Sequence, residues 1–142
     1  METKPNTLQP LEKVNYSDLL KNAEIDLSVP LPPPPVCLYF GDAAVFYLGD
    51  ISTTIGKAKG RKTFASGLFL AALAGNCSVQ NHIRATLPAD KRTVLSFDTE
   101  QGAYHAQKSA KRVLKLLNVD TLPNFKAYGL RKYNPAQRLE II

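Results

Sequence analysis

The sequence predicts an α/β fold with a mainly parallel sheet, on three observations. Short apolar strands alternate with helical stretches from residue 36 onward, the order that lays helices against the faces of a sheet. Residues 93–97, Thr-Val-Leu-Ser-Phe, are nearly continuously apolar, the texture of a strand covered on both faces. Residues 51–63 read in succession as a strand, a glycine-containing basic loop and the start of a helix, the local order of phosphate-binding units.

With 142 residues, 44% of them hydrophobic, the chain is long and apolar enough for one domain with a true core. The longest apolar stretch, residues 64–74, has helix length and is broken by Ser66 and Gly67, too short for a membrane span. The first ten residues are polar, without a basic flank leading into an apolar segment, so neither secretion nor membrane insertion is expected and the predicted location is cytoplasmic. Cys37 and Cys77 stand alone without a metal-like pair and read as free thiols of a reducing compartment. His82 and His105 have no Cys or carboxylate at ligand spacing, and no Ser or Cys has a plausible His–acid set, so metal centres and nucleophilic catalysis are not expected.

Residues 1–35 are expected to be an arm. They end in Val-Pro-Leu-Pro-Pro-Pro-Pro, where fixed φ and missing amide donors impose an extended, polyproline-like path. That run reads as a spacer before a folded domain, or as a partner-binding segment. A short helix over residues 16–23 is expected within the arm, with Ser17 as its cap. Residues 36–40 and 44–48 are apolar and flank Gly41-Asp42, a β-hairpin signature. Residues 51–55 read as a further strand closed by Gly56. Residues 62–74 read as a buried helix ended by Gly75-Asn76, where a left-handed residue is needed.

A loop is expected over residues 76–92, then the strand at 93–97. Residues 103–117 carry Ala106, Ala110, Val113, Leu114 and Leu117 at helical spacing, with Lys108, Lys111, Arg112 and Lys115 largely on the other face. Residues 125–130 form the next strand. Asn134-Pro135 then opens a helix, with asparagine as cap and proline at the first helical position.

The charge is unevenly spread. Residues 1–50 hold three lysines against seven acids, net −4, whereas residues 51–142 hold fifteen Lys and Arg against five acids, net +10. Lys57, Lys59, Arg61 and Lys62 crowd together in the sequence Gly56-Lys57-Ala58-Lys59-Gly60-Arg61-Lys62-Thr63. Such a cluster suits phosphate, on a nucleotide or on a nucleic-acid backbone, and equally a solvated basic face. The spacing of Gly56, Lys62 and Thr63 matches a P-loop, with Arg61 where a glycine usually precedes the lysine and Gly60 one position earlier. In that pattern backbone amides and the helix N-terminus cradle phosphates, the lysine meets the β- and γ-phosphates, and the threonine hydroxyl serves Mg²⁺. The strand at 93–97 runs into Asp98-Thr99-Glu100-Gln101. Carboxylates beyond the carboxyl end of a strand beside a P-loop can orient an attacking water or hold a metal's water shell. They can also simply cap the helix that follows. Tyr104 is a candidate to stack on a base, or an ordinary packing residue.

The loop GKAKGRKT, the strand and tip VLSFDTEQ, the helix YHAQKSAKRVLKLL and the continuation FKAYGLRKYNPAQRLEII together resemble RecA-like P-loop ATPases. Within these the resemblance points to AAA-type ATPases related to the RepA and DnaB hexameric helicases of mobile elements, over residues 36–142. It implies a partial RecA-like three-layer fold, ATP and Mg²⁺ as ligands, and Lys62 as the Walker A lysine. It also implies Thr63 as the Mg²⁺-associated hydroxyl and Glu100 as the residue that activates water; Asp98 is not the Walker B aspartate. The implied partners are single-stranded DNA and further copies of the chain in a ring. The Walker B aspartate is expected on a later strand, so the chain reads as the front half of a longer enzyme. A non-hydrolysing module that holds a nucleotide or a DNA phosphate is the rival expectation.

Overall fold

The computed structural model describes residues 15–57 and 60–142. Residues 1–14 of the expected arm, and Ala58 and Lys59 of the expected phosphate loop, lie outside the described residues. The chain divides into two compact units, Met1–Pro33 and Pro34–Ile142. In the first, helix α1 spans Tyr16–Ala23 and buries none of its residues. Its cap is Asn15, whose side chain accepts from the Ser17 amide at 3.1 Å. Ser17, the expected cap, thus sits inside the helix, because the asparagine one turn position earlier already satisfies a free N-terminal amide.

The second unit is mixed α/β. Strands β1 (Val36–Phe40) and β2 (Ala43–Tyr47) form an antiparallel hairpin, and Gly41 at φ +57° supplies the left-handed backbone that a two-residue loop demands. Helix α2 follows at Lys62–Gly75, then strands β3 (Ser78–Val79) and β4 (Ile83–Ala85). Strand β5 (Val94–Asp98), helix α3 (Ala103–Leu116), strand β6 (Phe125–Gly129) and helix α4 (Pro135–Ile141) complete the order.

The expectation of a mainly parallel sheet is corrected. One sheet has the order β2-β1-β4-β3 with every pairing antiparallel, and β5 and β6 form a separate parallel pair. The reason is the length of the connections. Residues 41–42 and 80–82 are connections of two and three residues, which join antiparallel strands only, whereas β5 and β6 are separated by a helix. Gln80 and Asn81 both adopt positive φ, +54° and +58°, so residues 76–92, expected as a loop, contain a tight hairpin. Residues 51–55 carry no strand; Ile51 and Ile55 are 98% and 90% exposed. Their β-branched composition favours a strand, but a strand exists only through a paired neighbour, and this segment has none.

Helix α2 packs against β1, β3, β4, β5 and α3. Its buried residues are small, Gly67, Ala71, Ala72 and Ala74, so backbones approach closely. Around them lie Leu38, fully buried, and Val113, 1% exposed, with Val79, Ile83 and Ala85. Phe46 packs edge-on against Phe69, ring centroids 5.3 Å apart. Cys37, Ala74, Leu87 and Val94 form an adjoining cluster, and burial pushes the Cys37 thiol above its ordinary pKa, which keeps it protonated and inert. Both cysteines are free.

The C-terminal end of α2 is held by two asparagines. Asn76 caps it in the left-handed region, φ +46°, and its side-chain amide mimics a peptide: Oδ1 accepts from the Leu87 amide at 2.6 Å and Nδ2 donates to the Leu87 carbonyl at 3.4 Å. Asn124 Nδ2 donates to the carbonyls of Ala74 and Arg92, each at 2.9 Å. It therefore ties α2 to the segment that leads into β5. Replacing Asn124 with alanine leaves those two carbonyls unpaired, and the expected loss is about 1–3 kcal/mol, read as a lower urea midpoint at unchanged slope.

Candidate functional site

The site grows from the amino end of α2. Gly60 N–H donates to the Lys57 carbonyl at 3.1 Å. A Cβ on Gly60 would stand 2.9 Å from that same carbonyl oxygen, so only glycine fits. Arg61 is the N-cap of α2 at φ +56°, ψ +24°, and its side chain makes no capping bond. The position where the P-loop pattern usually has glycine is thus left-handed here, and arginine occupies it at a steric cost. The helix ladder starts from the Arg61 carbonyl, which accepts from the Phe64 and Ala65 amides at 2.9 and 3.1 Å.

Lys62 folds back over the loop. Its Nζ donates to the Gly56 carbonyl at 2.7 Å and, at 3.5 Å, to that of Lys57. Its stem lies 3.5 Å from the place of a Cβ on Gly56. Ammonium and loop carbonyls therefore define one small ring.

Opposite stand the carboxyl ends of β5 and β6. Their register is direct, Val94 opposite Phe125 through Asp98 opposite Gly129. The Leu130 amide then donates to the Asp98 carbonyl at 2.7 Å, extending the pairing into the turn. The Asp98 carboxylate is engaged locally, accepting from the amides of Glu100 and Gln101 at 3.0 and 2.7 Å. Such an Asx-type turn shapes the tip, so Asp98 organises the loop ahead of α3. The N-cap of α3 is Gly102, without a side-chain bond, so neither acid is that helix's cap. Glu100 is exposed at the tip.

These two walls enclose a cleft of about 1060 Å³, the upper size of small-molecule sites, about 300–1,000 Å³. Lys62 and Thr63 line one side, Asp98, Glu100 and Gly102 the other, and Thr54, Arg131 and Lys132 complete the rim. Of the residues expected from sequence, the cleft gathers Lys62, Thr63 and Glu100. Gly56, Lys57, Gly60 and Arg61 form the loop behind the lysine without lining the cleft. Tyr104 is exposed and meets His105 edge-on at 5.2 Å. Arg131 and Lys132 were not anticipated as site residues; the signal that could have found them is a basic pair directly after the second parallel strand.

Among the described residues no group of three His, Cys, Asp or Glu side chains could hold a metal by itself. Mg²⁺ does not require one, since it commonly takes one or two protein oxygens and completes its shell with water and substrate phosphate. No helix among the described residues is long and apolar enough to cross a membrane. Compared with family models, with curated proteins and with solved structures, the chain has no significant match in any of the three.

Arg61→Gly removes a side chain from a left-handed position and should raise stability by about 0.5–1 kcal/mol, visible as a higher melting temperature. Gly60→Ala should do the reverse at the same turn, because the added carbon meets the Lys57 carbonyl.

Proposed function

We propose that the cleft binds Mg²⁺-complexed ATP, and that the chain is a nucleotide-binding part of a RecA-like ATPase module working with single-stranded DNA in replication or mobilisation. The observation that carries this is the convergence of Lys62 and Thr63, at the start of one helix, with Asp98 and Glu100, at the tip of a parallel strand, on one cleft. The RecA-like and ring-forming parts rest on the sequence resemblance; the parallel β5–β6 pair agrees with it, and the antiparallel four-stranded sheet is a departure.

The chemistry follows from where charge develops. The positive end of α2 favours the anionic phosphates. Lys62 exchanges its bond to the Gly56 carbonyl for phosphate oxygens, a charge-assisted and stronger contact. Thr63 would hold Mg²⁺ together with phosphate oxygens, and the ion supplies charge neutralisation at the phosphate chain. Glu100 takes a proton from a water whose oxygen attacks the γ-phosphorus; the bond from that phosphorus to the bridging oxygen breaks, leaving ADP and phosphate. Lys62 stabilises the negative charge gathering on the leaving and equatorial oxygens.

A second reading has its own observation. Asp98 Oδ1 accepts from two backbone amides, which ties that acid to the shape of its own loop, and Glu100 is the exposed acid at the tip. A module that holds a nucleotide or a DNA phosphate without turnover needs only the basic wall.

Titration with ATP and Mg²⁺ separates the readings. Lys62→Ala should weaken ATP binding at least about tenfold, while Glu100→Gln should preserve binding and slow phosphate release about 10²–10⁴-fold. Binding without release by the native chain would select the non-hydrolysing reading. Binding of single-stranded DNA alone, steeply salt-dependent and indifferent to Mg²⁺, would remove the nucleotide site altogether.

A further inference from the structure

We infer that Arg131 is the residue that distinguishes a nucleoside triphosphate from a diphosphate in this cleft, by contacting the terminal phosphate from the β6 side; this rests on the nucleotide reading above. Three features of the structure lead there.

The first is position. The α2 wall offers a helix N-terminus and Lys62, which would hold the phosphate chain from one side, the lysine reaching its β- and γ-phosphates. Whatever projects beyond Lys62 meets the opposite wall, made of the tips of β5 and β6. Arg131 stands there, at the carboxyl end of β6, and lines the same cleft as Lys62, Thr63 and Glu100. Its Nη1 lies 3.8 Å from the place of a Cβ on Gly102.

The second is electrostatic. Gly102 opens α3, whose first turn contains no acid. An arginine beside the positive end of a helix dipole is a like-charge arrangement that an anion between them reverses. Among the described residues three cations, Lys62, Arg131 and Lys132, line the cleft against two carboxylates, Asp98 and Glu100. One of those carboxylates is already bound by backbone amides. Lys132 lies with its ammonium 5.1 Å from the Tyr133 ring centroid, and among the described residues the Arg131 guanidinium is the forked donor set that lines the cleft.

The third is rigidity. The turn that carries Arg131 is fastened from both sides. Leu130 is buried, 3% exposed, and its amide is bonded to the Asp98 carbonyl at 2.7 Å. Arg138 of α4 donates from Nε to the Leu130 carbonyl at 3.2 Å and from Nη2 to the Arg131 carbonyl at 3.1 Å. The Tyr133 amide also donates to the Leu130 carbonyl, at 3.0 Å. Four bonds therefore hold a surface turn, more than its connection alone requires. Arg138 is a positioning residue: it fixes the backbone from which Arg131 reaches.

The test is to titrate native chain, Arg131→Ala, Arg131→Lys and Lys62→Ala with ATP and with ADP, each with Mg²⁺. Arg131→Ala should weaken ATP about tenfold or more and leave ADP within about twofold, with Arg131→Lys between native and alanine. Lys62→Ala should weaken both nucleotides. If Lys62→Ala weakens both while Arg131→Ala changes neither, or changes both equally, the assignment of Arg131 falls and the nucleotide site stands. If the native chain binds neither nucleotide, both fall together. Because Arg131 is exposed, its replacement leaves the core untouched, and an unchanged melting temperature confirms that the comparison is made between folded chains.

Discussion

The small buried face of α2 is the constraint on which the rest depends. Gly67, Ala71, Ala72 and Ala74 let the helix lie close to strands of both sheets and to α3 at once. That contact fixes the helix axis, and the axis aims the helix's amino end into the cleft. A larger side chain at Ala71 or Ala72, which are fully buried, would push α2 away from β4 or α3 and move Lys62 and Thr63 with it. The carboxyl end is fastened independently, by Asn76 to Leu87 and by Asn124 to Ala74 and Arg92. Packing along the helix and hydrogen bonding at its end thus act together on one quantity, the position of its first turn.

Much of this was legible in the sequence, and what was not has a common cause. The helix boundaries at Gly75-Asn76 and Asn134-Pro135 were readable because their signals are local. Asn76 supplies a left-handed residue, and Asn134 with Gln137 completes a reciprocal capping box. The hairpin at Gly41-Asp42 was readable for the same reason. The hairpin at Gln80-Asn81 was hidden because its strands have two and three residues, too few for alternation to register, and its turn lacks glycine. Pairing is non-local: nothing in Ile-Ser-Thr-Thr-Ile states whether a neighbouring strand is present, and without one the segment is exposed.

The site divides in the same way. Lys62, Thr63 and Glu100 belong to short motifs whose spacing carries chemical meaning, so the sequence pointed to them. Arg131 lies in the stretch FKAYGLRKYNPAQRLEII, whose local pattern does not mark it as a site residue. Its place in the cleft follows from the pairing of β6 with β5 and from the bond between Leu130 and Asp98, which are distant in sequence. The role of Asp98 also depended on structure, since only coordinates distinguish a carboxylate facing solvent from one accepting two amides of its own loop.

Two of the charged groups of the cleft are, in this structure, bonded internally: Lys62 to loop carbonyls and Asp98 to loop amides. The two arrangements respond differently to an incoming phosphate. An ammonium bonded to neutral carbonyls gains by moving to an anion, because the contact becomes charge-assisted on both sides. A carboxylate bonded to amides gains nothing from the same anion and is repelled by it. On the proposed nucleotide reading, the lysine is the group that would change partners when phosphate enters, while the aspartate keeps the tip in shape. That asymmetry separates the two groups' roles, the lysine as a phosphate contact and the aspartate as a support of its own loop. It also explains why a loop with a strained arginine at its hinge still suits a phosphate: the lysine beyond the hinge, released from Gly56, needs only to swing its own side chain, with the backbone staying where α2 has set it.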